Sequence, residues 1–386
     1  MTKLTLASLF AGIGGFEAGF QARGIQASLV VDNAPAAQAV LRSRFPNAMI
    51  ADDVREIDDV NNVDILTAGF PCQDLSSVGE KRGLKGTQSR LVGEVFRILE
   101  GRLVPWVVLE NVPFIRQLAR GAALGLITSS LEELGYRWAY RVIDAHAFGI
   151  PQRRRRWVLI ASTVGDPKSV LLAGDSPPVV SSNYRDAACG FYWTEGMRAL
   201  GWAVDAIPPI KGGSTVGVAS PPAIRLPDGA LVTPDIRDAE RLQGFEADWT
   251  APAEDVVKPG FRWQLVGNAV SVGMAQWLAQ RIVTPRPYDS SEDPRFDGNR
   301  WPAAAWSDLD GQIFTSSAGM WPEVIACKPL AEFLKFETKP LSARAAMGFL
   351  RRTAKGSLRF PEGFLDQVRD HALLQGVDPT ELEVAA

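Results

Sequence analysis

A cysteine and a glutamate each stand directly after an apolar run that we predict to be a strand. Cys72 lies in G-F-P-C-Q after residues 63–68, and Glu110 opens E-N-V after residues 106–109. Open α/β sheets bind ligands outside the carboxyl ends of their strands, so both side chains are expected at one edge of a sheet. A lone free cysteine is more often a small buried hydrophobe. A carboxyl group beside it, however, can hydrogen-bond a ring nitrogen and an exocyclic amine, which is how a flipped base is read.

Four consecutive arginines, residues 153–156, open the apolar run W-V-L-I-A. Strand side chains alternate between two faces, so Arg154 and Arg156 are expected on one face and Arg153 and Arg155 on the other. Two guanidinium groups on one face can bind phosphate and a carbonyl oxygen. A solvated basic patch is the alternative, whereas the apolar continuation disfavours a nuclear targeting signal.

The first predicted strand leads into a glycine-rich turn, F-A-G-I-G-G-F, at residues 10–16. Such glycines let the backbone approach a ligand closely, but Glu17 stands where the dinucleotide fingerprint requires its third glycine. This departure disfavours a pyrophosphate cofactor and a nicotinamide dehydrogenase. Asp32, after the second strand, can accept hydrogen bonds from ribose hydroxyls, and Asp53 can accept one from an adenine amino group. An adenosine-bearing cofactor fits this pattern, and a tight turn with solvated aspartates is the alternative.

Strands and helices that position these residues alternate along the first part of the chain. The predicted strands are residues 4–10, 27–32, 63–69, 106–110, 137–144 and 156–162, and the predicted helices are 15–23, 34–45, 91–103 and 121–134. This alternation predicts an α/β fold with a mostly parallel, doubly wound sheet. Residues 165–235 are rich in Gly, Pro and Ser and predict an irregular, turn-rich module. Further helices are predicted at 236–242, 270–282 and 341–352.

Composition limits the class of protein and its compartment. A chain of 386 residues with a formal net charge of −3 has no global basic field, so any nucleic-acid surface must be local. Cys72, Cys189 and Cys327 have neither disulfide nor metal-ligand spacing, which suits a reducing cytosol and predicts no metal site. The N-terminal apolar stretch is too short to span a membrane and lacks a cleavage site. We expect a soluble, cytoplasmic protein.

Six motifs, taken in order, closely resemble those of the DNA cytosine-C5 methyltransferases. They are F-A-G-I-G-G, G-F-P-C-Q, E-N-V, Q-R-R-R-R, R-L-Q-G-F and G-N-A-V, and the match runs from about residue 5 to residue 283. The resemblance implies a Rossmann-like S-adenosylmethionine-dependent methyltransferase fold with a smaller, irregular target-recognition domain. It also implies S-adenosyl-L-methionine as methyl donor, S-adenosyl-L-homocysteine as product, and a flipped cytosine in double-stranded DNA as substrate.

The resemblance assigns roles to individual residues. Cys72 would add as a thiolate to C6, because cytosine C5 alone is a poor nucleophile, and Glu110 would hold N3 and the N4 amine. Arg154 and Arg156 would contact the cytosine carbonyl and steady the catalytic loop. The corresponding cofactor-binding positions are Phe10, Ile13, Gly15, Asp32, Asn33, Asp53, Val54, Pro71, Leu91, Asn268, Ala269 and Val270.

Three of these cofactor positions depart from the family pattern. Asp32 stands where a longer glutamate is common, Asn33 stands where an aromatic residue often stacks on adenine, and the segment around Leu91 matches loosely. None of these departures removes a group that the chemistry needs.

The resemblance also divides the chain into domains. Residues 1–164, completed by about 262–285, form the expected catalytic domain, and 165–261 form the target-recognition domain. Residues 286–386 are an extension that either contacts DNA or packs on the small domain. The expected DNA-binding residues are Gln73, Ser76, Lys211, Thr215 and Arg241. In this set, K-G-G-S-T-V is either a base-reading loop or a plain surface loop, and Arg241 braces the small domain.

The expected partner is double-stranded DNA, bound by a monomer associated with the nucleoid. A cognate restriction endonuclease and a solitary enzyme are both compatible with the sequence. Two alternative functions stay open: methylation of tRNA cytosine by the same motifs, and DNA binding by a catalytically silent relative.

Overall fold

The computed structural model describes residues 3–71, 90–178, 183–194, 197, 201–212 and 219–378. The strands are β1 (Thr5–Leu9), β2 (Gln26–Val31), β3 (Met49–Ala51), β4 (Ile65–Gly69), β5 (Trp106–Asn111), β6 (Arg137–Asp144), β7 (Arg155–Ser162), β8 (Cys189–Phe191), β9 (Trp202–Val204), β10 (Ala223–Arg225), β11 (Leu231–Thr233), β12 (Ala304–Ser307), β13 (Ile313–Thr315) and β14 (Lys339–Pro340). The helices are α1 (Gly15–Gln21), α2 (Pro35–Arg44), α3 (Arg90–Gly101), α4 (Ala122–Glu133), α5 (Pro167–Leu171), α6 (Ile236–Leu242), α7 (Arg262–Asn268), α8 (Val272–Val283), α9 (Leu330–Phe333), α10 (Ala343–Thr353) and α11 (Phe364–Leu374). Every strand and helix predicted before residue 163 is present.

Nine strands of the described chain form the main sheet, in the order β13-β12-β6-β7-β5-β4-β1-β2-β3. The strands from β3 to β5 in this order are parallel to their neighbours, whereas β7 is antiparallel to both β5 and β6. The predicted parallel sheet is confirmed from β3 to β5, and the four pairings from β5 to β13 are antiparallel. The carboxyl ends of β1, β2, β4 and β5 meet at one edge, which we call the upper edge. Because β7 is reversed, it begins at this same edge.

Helices cover both faces of the main sheet because each presents an apolar stripe to it. On one face, α3 buries Val92, Val95 and Leu99 at helical spacing, and α4 packs beside it. On the other face, α1 and α8 pack together and bury Phe20 and Leu278 against β1 and β4. The sheet is thus doubly wound, as predicted, and its upper edge is left to the loops that carry the motifs.

Four of the five strands of a second, antiparallel sheet lie within the segment predicted to be irregular. Its order is β14-β11-β10-β8-β9. The segment is turn-rich, but the sequence analysis did not predict that its short apolar runs pair. Strands of three residues or fewer are too short to show an alternating pattern. Gly190 in β8 allows close packing, since a Cβ there would lie 2.6 Å from Cα of Ile207.

Residues beyond 286 contribute to both sheets. β12 pairs with β6 and so extends the main sheet, while β14 pairs with β11 and so extends the second sheet. Helices α10 and α11 pack against the second sheet through Phe349 and Phe364, which contact Phe191. In the described parts of the chain, no helix is long and apolar enough to cross a membrane.

Candidate active site

Glu110 is a buried acid at the upper edge. It is the penultimate residue of β5, and its Oε1 lies 2.7 Å from Nε of Arg156. Burial raises the pKa of the Glu110 carboxyl, and the charges of Arg156 and Arg154 oppose that rise. A carboxyl group whose neutral form is favoured by burial can donate a hydrogen bond as well as accept one.

Strand β7 brings two arginines to Glu110 because it runs antiparallel to β5 from the upper edge. Arg156 forms the ion pair with Glu110. Arg154 is 1% exposed and donates from Nη2 to the carbonyl oxygens of Gly267, at 3.0 Å, and Ala269, at 2.7 Å. Arg154 therefore connects the carboxylate site to the G-N-A-V segment.

The other two arginines of the run face Asp144. Nε of Arg153 lies 2.9 Å from Oδ2 of Asp144, and Nε of Arg155 lies 3.9 Å from the same oxygen. Asp144 is fully buried at the end of β6. The predicted alternation of the four arginines between two faces is confirmed.

The chain that leads from β4 toward Cys72 is fixed by β5. Gly69, the last residue of β4, lies opposite Glu110 in the parallel register. Nδ2 of Asn111 donates to the carbonyl oxygen of Phe70 at 2.9 Å, and Phe70 is buried whereas Pro71 is exposed. Asn111 is not among the predicted site residues, and the one feature of the sequence that points to it is its place in E-N-V. The predicted residues Cys72, Gln73, Ser76 and Thr215 lie outside the described residues.

Asp32 orders the glycine-rich turn from the end of β2. Its Oδ2 accepts a hydrogen bond from the Gly12 amide at 2.7 Å, and its Oδ1 accepts one from the Ala34 amide at 2.9 Å. Burial raises the pKa of Asp32, and these two hydrogen bonds oppose the rise. A Cβ on Gly12 would meet no atom within 4 Å, so the turn is open there. An open backbone beside the Asp32 carboxylate, which can accept further hydrogen bonds, fits an adenosyl group.

The G-N-A-V segment, which ends α7 and begins the link to α8, packs against the glycine-rich turn. A Cβ on Gly15 would lie 2.3 Å from the carbonyl oxygen of Val270, so this contact requires glycine. Asn268 is exposed, whereas Ala269 is buried and is held by Arg154 through its carbonyl oxygen. Predicted residues from three separate motifs are thus brought together.

The remaining predicted cofactor residues surround this turn. Arg55 donates from Nε to both carboxylate oxygens of Asp53, at 2.9 and 3.0 Å, and this pairing lowers the pKa of Asp53. An adenine amino group would therefore share this carboxylate with Arg55. Val54 is buried, and Leu91 is partly buried against the same core. Asn33 is exposed, and Phe10 has a left-handed backbone with φ of 56°.

Trp249 supports the glycine-rich turn from a distant part of the sequence. Its Nε1 donates to the carbonyl oxygen of Ile13 at 2.8 Å, and Ile13 itself is fully buried. Trp249 also packs edge-on against Phe45 at the end of α2. Trp249 is not among the predicted site residues, because no local pattern links it to a turn 236 positions earlier.

The comparisons with known proteins agree with this geometry. The family model for C-5 cytosine-specific DNA methylases matches residues 4–186. The Type II methyltransferase M2.BsuMI of Bacillus subtilis (strain 168) is 44% identical over 369 residues, which cover 91% of this chain and 94% of that protein. The chain belongs to the C-5 cytosine-specific DNA methylases. The prediction of an S-adenosylmethionine-dependent DNA (cytosine-5-)-methyltransferase is confirmed, and it replaces the alternatives of a tRNA methyltransferase and a silent relative.

Two further matches to the methylase have lower sequence identity. The Type II methyltransferase M.MspI of Moraxella sp is 33% identical over 177 residues, which cover 45% of this chain and 42% of that protein. Among solved structures, the S. pombe Dnmt2 methyltransferase superposes with a TM-score of 0.56 at 16% identity, covering 73% of this chain and 99% of that chain. At this identity the likeness shows the fold, and the predicted methyltransferase fold is confirmed.

Two residues predicted to contact DNA are described in the methylase. Lys211 donates from its amide to the Tyr192 hydroxyl at 2.6 Å, and a Cβ on Gly267 would lie 2.7 Å from the Lys211 carbonyl carbon. The K-G-G segment therefore starts directly against G-N-A-V. Arg241 donates from Nη1 to the carbonyl oxygen of Phe333 at 2.6 Å and pairs with Asp238. In this position Arg241 joins α6 to the C-terminal part of the chain.

Proposed function

We propose that the methylase acts through a covalent bond between Cys72 and C6 of an extruded cytosine. The observation that supports this is the buried pair of Glu110 and Arg156, next to the chain that leads from β4 into Cys72. A thiol and a carboxyl group at neighbouring strand ends can contact one flipped base from two sides. The resemblance of the ordered motifs supplies the roles of both groups.

The proposed steps follow from the chemistry of cytosine. The Cys72 thiolate forms a bond to C6, while Glu110 hydrogen-bonds N3 and the N4 amine and makes C5 electron-rich. When bound, S-adenosyl-L-methionine supplies an electrophilic methyl group for C5. Loss of the C5 proton then breaks the bond between sulfur and C6, which restores the ring and the thiolate. We assign to Arg156 the contact with the cytosine carbonyl, and to Arg154 the positioning of G-N-A-V.

We propose that the glycine-rich turn and its neighbours hold S-adenosyl-L-methionine and its product S-adenosyl-L-homocysteine. Asp32 would bind the ribose, Asp53 the adenine amino group, and the backbone of the turn the remainder. The full set is Phe10, Ile13, Gly15, Asp32, Asn33, Asp53, Val54, Pro71, Leu91, Asn268, Ala269 and Val270. The open backbone at Gly12 and the close packing of Gly15 on Val270 support this assignment.

For DNA recognition we propose residues 165–261 as the target-recognition domain, beside a catalytic domain of 1–164 completed by about 262–285. Gln73, Ser76, Lys211 and Thr215 would contact the duplex, and Arg241 would brace the domain that reads it. K-G-G-S-T-V begins in close contact with G-N-A-V, and this contact supports a base-reading role for the loop. A monomer acting on nucleoid DNA, with a cognate restriction endonuclease, completes the proposal.

The site of methylation is tested by expressing the gene in a host that lacks DNA methylation and mapping 5-methylcytosine across the host DNA. We expect methylation confined to one short sequence motif. A blank map from a well-expressed protein would contradict the proposed substrate. Restriction of unmethylated plasmid by extracts of the native host, with protection of the mapped motif, tests the endonuclease partner.

The covalent mechanism predicts that Cys72→Ala abolishes methyl transfer while cofactor binding survives. The thiolate is needed for addition to C6 but not for holding the methyl donor. Transfer of labelled methyl groups to plasmid DNA and calorimetric titration with S-adenosyl-L-homocysteine measure the two properties. Cys327→Ala, which removes a thiol from the C-terminal segment, is the matched control and should retain activity. Turnover by Cys72→Ala at the wild-type rate would exclude the mechanism.

A further inference from the structure

The turn that follows Glu110 exposes an aromatic side chain. Phe114 is 56% exposed and Val112 is 37% exposed, where the chain leaves β5 at the upper edge. We call residues 112–121 the post-β5 turn. Apolar side chains exposed singly need no explanation. Two of them within three residues, next to the buried carboxyl group of the site, form an apolar surface where substrate must approach.

The backbone that carries Phe114 is fixed by short-range contacts. The Val112 amide donates to Oδ1 of Asn111 at 2.8 Å. The Ile115 amide donates to the carbonyl oxygen of Val112 at 3.1 Å, and the Gln117 amide donates to that of Phe114 at 2.8 Å. Ile115 is fully buried and anchors the turn in the core. The exposed ring is therefore presented from an ordered support.

The end of the post-β5 turn is strained and is braced by the C-terminal segment. Ala119 and Arg120 have left-handed backbones, with φ of 49° and 57°, which persist in non-glycine residues when the surroundings hold them. Nε1 of Trp301 donates to the last carbonyl oxygen of the turn at 3.0 Å, and Nη1 of Arg116 donates to the carbonyl oxygen of Pro302 at 2.7 Å. This arrangement keeps Arg120 exposed, with no ion-pair partner among the residues that the structure describes.

The geometry points to the post-β5 turn as a DNA-contacting surface, in which Phe114 stacks beside the extruded cytosine and Arg120 binds a backbone phosphate. The inference rests on the proposed function, since it takes Glu110 as the residue that holds the flipped base. Duplex DNA is the occupant because the turn continues directly from Glu110. Aromatic side chains stack on bases that have left the duplex stack, and an exposed arginine neutralises phosphate.

The experiment measures binding of two duplexes that carry the mapped methylation site. In one, the target cytosine is paired with guanine; in the other, the target position is abasic and offers no base for Phe114 to stack on. Phe114→Ala should weaken binding of the paired duplex about tenfold, the size of effect that loss of base stacking on an aromatic ring produces. The abasic duplex should lose less than about threefold, because it presents no extruded base for the Phe114 ring to stack on.

Leu103→Ala is the matched control, because Leu103 is 52% exposed but precedes β5 at the opposite edge of the sheet. This variant should bind both duplexes as the wild type does. S-adenosyl-L-homocysteine affinity should be unchanged in both variants. Arg120→Ala should reduce the slope of log affinity against log salt by about one phosphate contact.

Three results would overturn the inference: equal losses of Phe114→Ala on both duplexes, no loss on either, or the same loss in Leu103→Ala. An unchanged salt slope in Arg120→Ala would overturn the phosphate contact. Methylation of the paired duplex by the wild-type protein is measured in parallel. If the wild type methylates the duplex and Phe114→Ala binds normally, this inference fails and the proposed function stands. If the wild type does not methylate it, both fail.

Discussion

The upper edge and the helix layer behind it each bury a glutamate, in different surroundings. At the upper edge, Glu110 lies 2.7 Å from Nε of Arg156. In the helix layer, Glu17 lies in the first turn of α1 and is 1% exposed. Neither carboxylate oxygen of Glu17 has a hydrogen-bond partner among the described residues. The nearby Ser8 hydroxyl is 2.5 Å from that of Thr67.

Burial acts alike on both carboxyl groups, but the neighbouring charges do not. Burial raises the pKa of Glu17 to about 7, the nearby Ser8 side chain opposes the rise, and the charge of Asp32 adds to it. At Glu110 burial again raises the pKa, but Arg156 and Arg154 oppose it. The difference is that cations oppose the rise at the upper edge, whereas no neighbouring charge of the described residues opposes it in the helix layer. In the helix layer an ionised Glu17 destabilises the fold, because an unpartnered buried charge is unfavourable.

Glu110→Gln should have the largest effect on methyl transfer, because it removes the acidic group at the upper edge. We expect methyl transfer to fall by about 10²–10⁴-fold, the usual contribution of a positioned acid or base. Methyl incorporation into plasmid DNA under saturating cofactor measures the loss. Glu17→Gln is the matched variant, equally buried and equally isosteric, and should transfer methyl groups at close to the wild-type rate. Similar losses in both variants would remove the distinction between the two sites.

Arg156→Met should come next, because it leaves Glu110 without its nearest cation. Removing one partner of a buried ion pair typically costs about 3–5 kcal/mol, so the free energy of unfolding should fall markedly. Loss of the cation should also raise the pKa of Glu110, so the limb of the pH–rate profile that reports this group should move to higher pH. Chemical denaturation and the pH dependence of methyl transfer measure the two effects.

Arg155→Met serves as the control for this change, since Arg155 lies on the other face, 3.9 Å from Asp144, and is half-exposed. It should alter stability little and leave the pH–rate profile in place. An unshifted profile in Arg156→Met would mean that the cation does not govern the charge of Glu110.

The upper edge could be predicted from the sequence because its chemistry is local. The motifs around Glu110 and Arg156 directly follow or open an apolar run, and parallel strands place their carboxyl ends together whatever lies between them. The alternation of Arg154 and Arg156 is likewise a property of one strand. Asp32 follows the second strand, and the structure gives it a further role in ordering the turn at Gly12.

The second sheet and the supports of the site could not be predicted in the same way. Strand β14 pairs with β11 across more than a hundred residues, and Trp249 reaches Ile13 across 236 positions. Such contacts depend on tertiary packing, and strands this short have no periodic pattern from which they could be predicted. Arg55 and Asp53 are close in sequence and form an ion pair. Exposed charges have several possible partners, however, and the sequence does not indicate which pair forms.

Glu17→Gln should have the smallest effect, visible in stability rather than in methyl transfer. The unfolded chain loses the Glu17 proton near its ordinary pKa of 4.5, whereas the folded protein keeps it until about pH 7. Stability from this group is therefore complete below pH 4.5, falls as the pH rises to about 7, and stays low above that value. Glutamine cannot ionise and removes this fall. We expect the variant to be about 1–3 kcal/mol more stable than the wild type at pH 8, and close to it at pH 5.

Urea denaturation of both proteins at the two pH values measures this difference, because the pH dependence separates charge from packing. Glu133→Gln, an exposed substitution at the end of α4, is the control and should change stability equally little at both pH values. A stability difference between Glu17→Gln and wild type that is the same at pH 5 and pH 8 would mean that Glu17 has a partner for its charge in solution. Glu17 and Glu110 would then differ in the orientation of their carboxylates, and no longer in the presence of a neighbouring cation.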